Sequence, residues 1–314
     1  MTCRDSATRG HVAGAEQTGS SARYRCDMND PARGPLISAG DLLARIDDPD
    51  VRTADVRWFL GDPERGQIEY RQGHIPGAVF VDLDRDLAAA TGPGRHPLPD
   101  PTGFADRMGE LGFDDEHTIV IHDAANGQYG ARMWWMLDRL GHKDVVMLDG
   151  GLAAWKAIDG PWTAQKSTPL RATMTLGTEW PNITDRETIV ASKGAIDLID
   201  VRAPERYSGE TEPMERVGGH IPGARNRPCG SMMQADGRML PADEVLPLIR
   251  GEGRHSELPL VMSCGSGVTA CFGMLAARIA GLPDPILYPG SFSDWVSSDM
   301  PIATGTEPDG PIAG

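Results

Sequence analysis

Among the residues of this 314-residue chain that could do covalent chemistry, Cys264 has the most telling surroundings. It ends the apolar run "LPLVMS" (258–263) and opens the loop "CGSGVTAC", which leads into an apolar helical pattern. In open α/β sheets, reactive groups collect where strand C-terminal ends meet helix N-termini. Gly265, Ser266 and Gly267 leave the backbone bare and able to take positive φ, so successive amide N–H groups can turn inward around the cysteine sulfur. The following helix adds its positive N-terminal end. Both features favour thiolate over thiol, and both would hold an anionic terminal persulfide sulfur equally well. The competing reading is a buried structural cysteine before an ordinary turn. The other four cysteines have no comparable setting: Cys271 falls within the helix, Cys229 follows Pro228 in a loop, and Cys3 and Cys26 lie near the N-terminus.

A cysteine in an anion-cradling loop could also serve a phosphatase. That chemistry needs an arginine closing the loop, in the pattern C-x5-R, to grip phosphate with its planar fork. The sixth residue after Cys264 is Ala270, and no arginine follows until Arg278. The loop therefore suits a smaller anion, about the size of one sulfur.

The elements that position this loop occur twice. "ADVRWF" (54–59) returns in "IDVRAPERY" (199–207), "GHIPGA" (73–78) is repeated at 219–224, "TIVIHD" (118–123) matches "PLVMSC" (259–264), and "LDGGLAAW" (148–155) matches "LYPGSFSDW" (287–295). Four matches in one order mark a duplicated domain of about 130 residues. We read 1–27 as a disordered tail, 28–162 as the first copy, 163–181 as a linker, 182–305 as the second copy and 306–314 as a tail. In the second copy, strand-like runs at 195–201, 258–263 and 284–288 alternate with helical patterns at 242–250 and 268–279. Thr184 and Glu187 have capping-box spacing and predict a helix start. Apolar strands alternating with helices predict an α/β fold, each copy a parallel sheet with helices on both faces. Asp123 stands in the first copy where Cys264 stands in the second, so one copy alone carries a nucleophile.

Composition bounds the partners. A net charge of -15 and a pI near 4.9 argue against nucleic acid or an anionic membrane surface. Five cysteines without CxxC spacing suit a reducing compartment and no zinc site. No run approaches the roughly 18 apolar residues of a membrane span, and residues 1–27 lack the apolar h-region of a secretory signal. Cytoplasm is the expected location, and these residues require no metal or organic cofactor.

From about Leu36 to Ile302, the sequence resembles the rhodanese (sulfurtransferase) family in its two-domain form. The paired "HIPGA" motifs, "YGARMWWMLDRLGH" (129–142), "LDGG" and "CGSGVTAC" carry the likeness. The loop CGSGVT is similar to the branch using 3-mercaptopyruvate; thiosulfate-preferring members typically place a basic residue after the cysteine, where Gly265 stands here. The resemblance implies two tandem rhodanese-like domains, the first catalytically silent. It implies that Cys264 takes sulfur from 3-mercaptopyruvate as a persulfide and passes it to cyanide, a small thiol or thioredoxin. Arg206 and Arg216 would hold the donor's carboxylate and carbonyl, and Gly265, Gly267, Val268 and Thr269 would line the sulfur site, unless Thr269 simply caps the helix. The family also suggests a relay from Asp62 through His74 to Ser266. The repeat favours a different reading of His74, because His220 occupies an identical motif, as a satisfied histidine in a turn would. Arg202 and its counterpart Arg57 read as structural ion-pair residues. Two alternatives stay open: thiosulfate:cyanide sulfur transfer on the same scaffold, and a non-catalytic persulfide carrier.

Overall fold

The computed structural model describes residues 34–192, 194–251 and 257–313. The expected N-terminal tail (1–27), with Cys3 and Cys26, lies outside the described residues. The first half contains β1 (Leu36–Ile37), α1 (Ala39–Leu43), β2 (Val51–Asp55), α2 (Arg65–Gln72), β3 (Val79–Phe80), α3 (Leu83–Asp86), α4 (Pro101–Glu110), β4 (Thr118–His122), α5 (Ala131–Arg139), β5 (Val145–Leu148) and α6 (Gly151–Ala157). The second half contains α7 (Arg186–Ser192), β6 (Asp197–Asp200), α8 (Pro204–Ser208), β7 (Arg225–Asn226), α9 (Ala242–Arg250), β8 (Leu260–Ser263), α10 (Ala270–Ile279), β9 (Ile286–Leu287) and α11 (Ser291–Ser297).

Both sheets are parallel throughout, ordered β1-β5-β4-β2-β3 and β7-β6-β8-β9. The second repeats the first without its outer strand. An isolated parallel bridge from Ile183 to Leu287 stands where β1 would pair. Every residue of the inner strands β4 and β8 is buried, which explains their unbroken apolar runs: helices cover both faces, so no solvent side demands alternation. Asp123 and Cys264 directly follow these two strands. The expected capping box is corrected in one respect. The α7 cap is Asp185, whose carboxylate accepts from Thr188 N–H at 2.8 Å, while Thr184 N–H is already spent on the Leu287 carbonyl.

Residues 163–181 form no regular element beyond a bridge from Thr163 to His74, yet they pack on the first sheet unit. Trp180 stacks on Trp135 with ring centroids 5.5 Å apart and donates to the Pro99 carbonyl at 2.8 Å.

The two halves share one apolar core, with α5 and α10 packed against each other. Both helices are buried nearly all round, so neither has a polar face to turn to water. Arg139 and Arg278 frame this seam, pairing with Asp138 and Asp284. A continuous apolar seam holds two domains in one relative pose, where a polar interface would let them move. Each half also lends a loop to the other: Arg95 N–H donates to Ser293 Oγ at 3.0 Å, and Met239 N–H donates to Asp149 Oδ1 at 2.8 Å.

Candidate active site

Cys264 is 1% exposed, at the C-terminal end of β8. The first turn of α11 clamps its loop: Cys264 N–H donates to Ser291 Oγ at 3.1 Å, and the Cys264 and Gly265 carbonyls accept from Phe292 and Ser293 N–H at 3.0 and 2.9 Å. Gly267 has φ +74°, and a Cβ there would lie 2.3 Å from the Pro289 carbonyl oxygen, so a side chain is excluded on both counts. The N–H groups of residues 265–269 donate to no acceptor among the described residues. They are free to surround an atom on the cysteine sulfur.

The first copy shows the same backbone device already filled. Asp123 Oδ1 accepts from Ala125 and Gly127 N–H, both at 2.8 Å, and Oδ2 accepts from Tyr129 and Gly130 N–H at 2.8 and 2.7 Å. Burial pushes the Asp123 carboxyl up, and these four donors oppose that shift. Where the second copy holds a thiol in an open ring of amides, the first closes the ring on its own carboxylate.

Ser266 Oγ lies 2.7 Å from His96 Nδ1, and His96 Nε2 lies 3.0 Å from Asp84 Oδ1. Trp58 Nε1 donates to Asp84 Oδ2 at 2.9 Å, and the Trp58 ring meets His96 and Tyr129 edge-on at 5.7 and 5.0 Å. The hydrogen bond from His96 holds the Asp84 carboxyl below the usual carboxylate range, aided by Trp58 and opposed by burial. Arg132, wholly buried on α5, donates to the Gly267 carbonyl at 3.0 Å and the His96 carbonyl at 3.1 Å, tying the His96 segment to the Cys264 loop.

This geometry corrects the expected relay. Both His74 ring nitrogens face backbone carbonyls, Tyr70 O at 2.8 Å and Gln165 O at 3.1 Å, and the ring stacks on Tyr70. His220 repeats the arrangement with Tyr207 and Glu307. With both nitrogens engaged, His74 has none to offer Ser266. Asp62 is exposed in the turn before α2 and takes no part. A signal for His96 existed in the repeat: "GRHPLP" (94–99) returns as "GRMLP" (237–241), with Met239 where the histidine would be.

The arginines divide likewise. Arg206 borders the cysteine loop: a Cβ on Gly265 would lie 3.6 and 3.7 Å from its Nη2 and Nη1. Arg216 instead bonds the Val296 carbonyl at 3.0 Å and pairs with Asp299, at the C-terminal end of α11, whereas the N-terminal end of that helix abuts Cys264. The short "RVGGH" connection to His220 carries it there. Arg95, which the motifs did not suggest, borders Gly265 more closely than Arg206. Arg202 pairs with Asp200 as Arg57 does with Asp55. Val268 is buried beside the loop, and Thr269 precedes α10 without a side-chain capping bond.

Cys229 and Cys271 are buried free thiols. Burial pushes Cys271 up to about 12 and Cys229 well above its ordinary value, which leaves both protonated and poorly nucleophilic at neutral pH. Among the described residues, no three His, Cys, Asp or Glu side chains are grouped to hold a metal. No helix among the described residues is long and apolar enough to cross a membrane.

Two parallel sheets of one design, with a thiol after an inner strand of one and a carboxylate after that of the other, define a tandem α/β protein of two related domains. The chain belongs to the rhodanese family, whose Rhodanese-like domain matches residues 38–158 and 187–298, and it is a sulfurtransferase. A Pseudomonas aeruginosa protein provisionally named 3-mercaptopyruvate sulfurtransferase is 40% identical over 86% of this chain and 98% of its own length. A Mycobacterium tuberculosis protein provisionally named thiosulfate sulfurtransferase is 38% identical over 88% of this chain and 99% of its own. The crystal structure of SseA, described as a 3-mercaptopyruvate sulfotransferase of Escherichia coli, superposes with a TM-score of 0.72 at 32% identity, covering 83% of this chain and 99% of that one.

Proposed function

We propose that this sulfurtransferase takes sulfur from 3-mercaptopyruvate onto Cys264 and delivers it to a small thiol, cyanide or thioredoxin. Cys264 thiolate attacks the donor's sulfur, a new S–S bond forms, and the C–S bond breaks with its electron pair leaving on pyruvate enolate. The donor's S–H proton is lost from the new persulfide, and one proton is gained by the enolate carbon. Cys264 thiolate and mercaptopyruvate thus become Cys264 persulfide anion and pyruvate, with charge balanced. The acceptor thiolate or cyanide then attacks the outer sulfur and restores the thiolate.

The hydrogen bond between the Ser266 hydroxyl and His96 Nδ1, with Nε2 held by Asp84, carries the choice of donor. An enolate must be protonated at carbon, and a hydroxyl linked to an imidazole can relay that proton. Sulfite leaving thiosulfate is a stable anion at neutral pH and needs no such relay. The names of several relatives support the same donor. A reducing compartment keeps the thiol and its acceptors usable, and we place the protein in the cytoplasm. The test is kcat/KM for the two donors: preference for 3-mercaptopyruvate is expected, and strong preference for thiosulfate would overturn the assignment.

A further inference from the structure

Gly265 is the residue beside the nucleophile, and its conformation does not require glycine: its φ lies outside the left-handed region. What lies around it is cationic. A Cβ built there would meet Arg95 Nη2 at 3.2 Å, Arg206 Nη2 at 3.6 Å and Arg206 Nη1 at 3.7 Å. Two guanidiniums from different halves of the molecule therefore converge on the space a side chain at 265 would fill.

Each guanidinium is partly occupied. Arg95 pairs through Nη1 with Glu215. Arg206 engages Glu212 through Nη2 and Nε. Arg95 Nη2 and Arg206 Nη1 have no acceptor among the described residues; Arg95 Nη2 lies nearest the Gly265 side-chain space, and Arg206 Nη1 borders it at 3.7 Å beside the engaged Nη2 at 3.6 Å. Burial is the main cost of keeping Arg95 charged; a negative charge on Cys264 would offset it, and the neighbouring Arg206 cation adds to it. The Arg95 backbone is pinned across the interface by its bond to Ser293 Oγ, so the side chain cannot drift far from its neighbour. Two unspent donors held together beside a nucleophile form a site for an anionic group with two or more acceptor oxygens.

We infer that Arg95, contributed by the copy without a nucleophile, binds the anionic end of the sulfur donor together with Arg206, and that residue 265 is glycine because this cation occupies the space of its side chain. The donor site is then complete only when both domains are docked. The inference rests on Cys264 being the sulfur carrier. It does not depend on which anionic donor is used, because a carboxylate and a sulfonate oxygen pair present the same acceptors.

The test uses the full chain with both 3-mercaptopyruvate and thiosulfate, reading persulfide formation on Cys264 by intact mass and by initial rates. With whichever donor the wild type uses, Arg95→Ala should raise KM at least about tenfold, the loss of one charge-assisted hydrogen-bonding cation, while kcat changes much less. Arg95→Lys should recover part of this. Gly265→Arg alone should impair loading, because it forces a third guanidinium between the other two. Arg95→Ala/Gly265→Arg should load better than Arg95→Ala, since the cation is restored from the same strand end. Unchanged KM in Arg95→Ala would overturn the inference, and so would a fall confined to kcat, which would indicate a disturbance of neighbouring His96 instead. No recovery in the double variant, with unfolding midpoint preserved, would also count against it. Thiosulfate as the better donor would overturn the mercaptopyruvate assignment and leave the Arg95 result to be read on thiosulfate.

Discussion

His96 and Ser266 are 170 residues apart in the chain and 2.7 Å apart in space. The imidazole comes from a loop of the first domain and the hydroxyl from the cysteine loop of the second. The first copy therefore lends an imidazole to the Cys264 loop, and Arg132 fixes the distance by bonding the carbonyls of both His96 and Gly267.

If this contact moves the proton, His96→Asn should lower kcat with 3-mercaptopyruvate by about 10²–10⁴-fold. Asp84→Asn should cost less, since Asp84 acts through His96. Discharge of a preloaded persulfide to cyanide forms no enolate and should stay near the wild-type rate in both. His74→Asn serves as the contrast, because its ring holds Tyr70 and Gln165: lower stability with near-normal kcat is expected. Single-turnover measurements of loading and discharge separate these outcomes, and a slow His74→Asn enzyme beside a normal His96→Asn enzyme would refute the relay.

Sulfur loading should follow Cys264 alone. Incubation with donor should add the mass of one sulfur to the wild type, and nothing to Cys264→Ala. Cys229→Ala and Cys271→Ala should still load, because burial keeps both thiols protonated. Thiocyanate release from the wild type, absent in Cys264→Ala, distinguishes an enzyme from a passive carrier.

Asp123 makes a stability prediction independent of catalysis. Asp123→Ala leaves four N–H groups, two buried and two part-buried, without their acceptor. A buried unsatisfied donor costs about 1–3 kcal/mol, and water entering the vacated space would satisfy some of them. A loss of about 3–5 kcal/mol in urea unfolding is expected on that basis. A loss below about 1 kcal/mol would mean that the ring of amides relaxes without its anion.

Acid sensitivity should trace in part to His122, which is wholly buried with neither ring nitrogen hydrogen-bonded. Burial lowers it from 6.5 to about 4. The folded state therefore binds fewer protons than the unfolded chain between these values. The stability it contributes is full above pH 6.5 and is lost as pH falls towards 4, by about 3 kcal/mol at pH 4 and about 2 at pH 5. Comparing urea midpoints of wild type and His122→Leu at pH 7 and pH 5 checks the sign: the variant should lose less on acidification. An equal loss in both would remove His122 from the account.

Much of the architecture could be read from the chain because it is encoded locally. An apolar strand, a glycine-bracketed turn and a helix start within a dozen residues announce the Cys264 loop. The duplication announces the second sheet and the carboxylate of Asp123 at the position matching Cys264. The alternation of elements announces the parallel sheets. Motif likeness failed where the answer depended on path and packing. His74 sits in a shared motif but spends both nitrogens on the carbonyls of Tyr70 and Gln165, and Arg216, separated from His220 by three residues, is carried to the far end of α11.

By itself, the sequence determined the fold class and the setting of Cys264, at the end of an inner strand in a glycine-bracketed loop, since each follows from residues close together in the chain. The tertiary structure alone decided which histidine and which arginines reach that nucleophile. His96 and Arg95 reach the Cys264 loop only because the α5–α10 seam and two exchanged loops hold the domains in one pose. That pose is the sum of many weak apolar contacts and a few hydrogen bonds spread along the whole interface, and no short stretch of sequence carries its pattern.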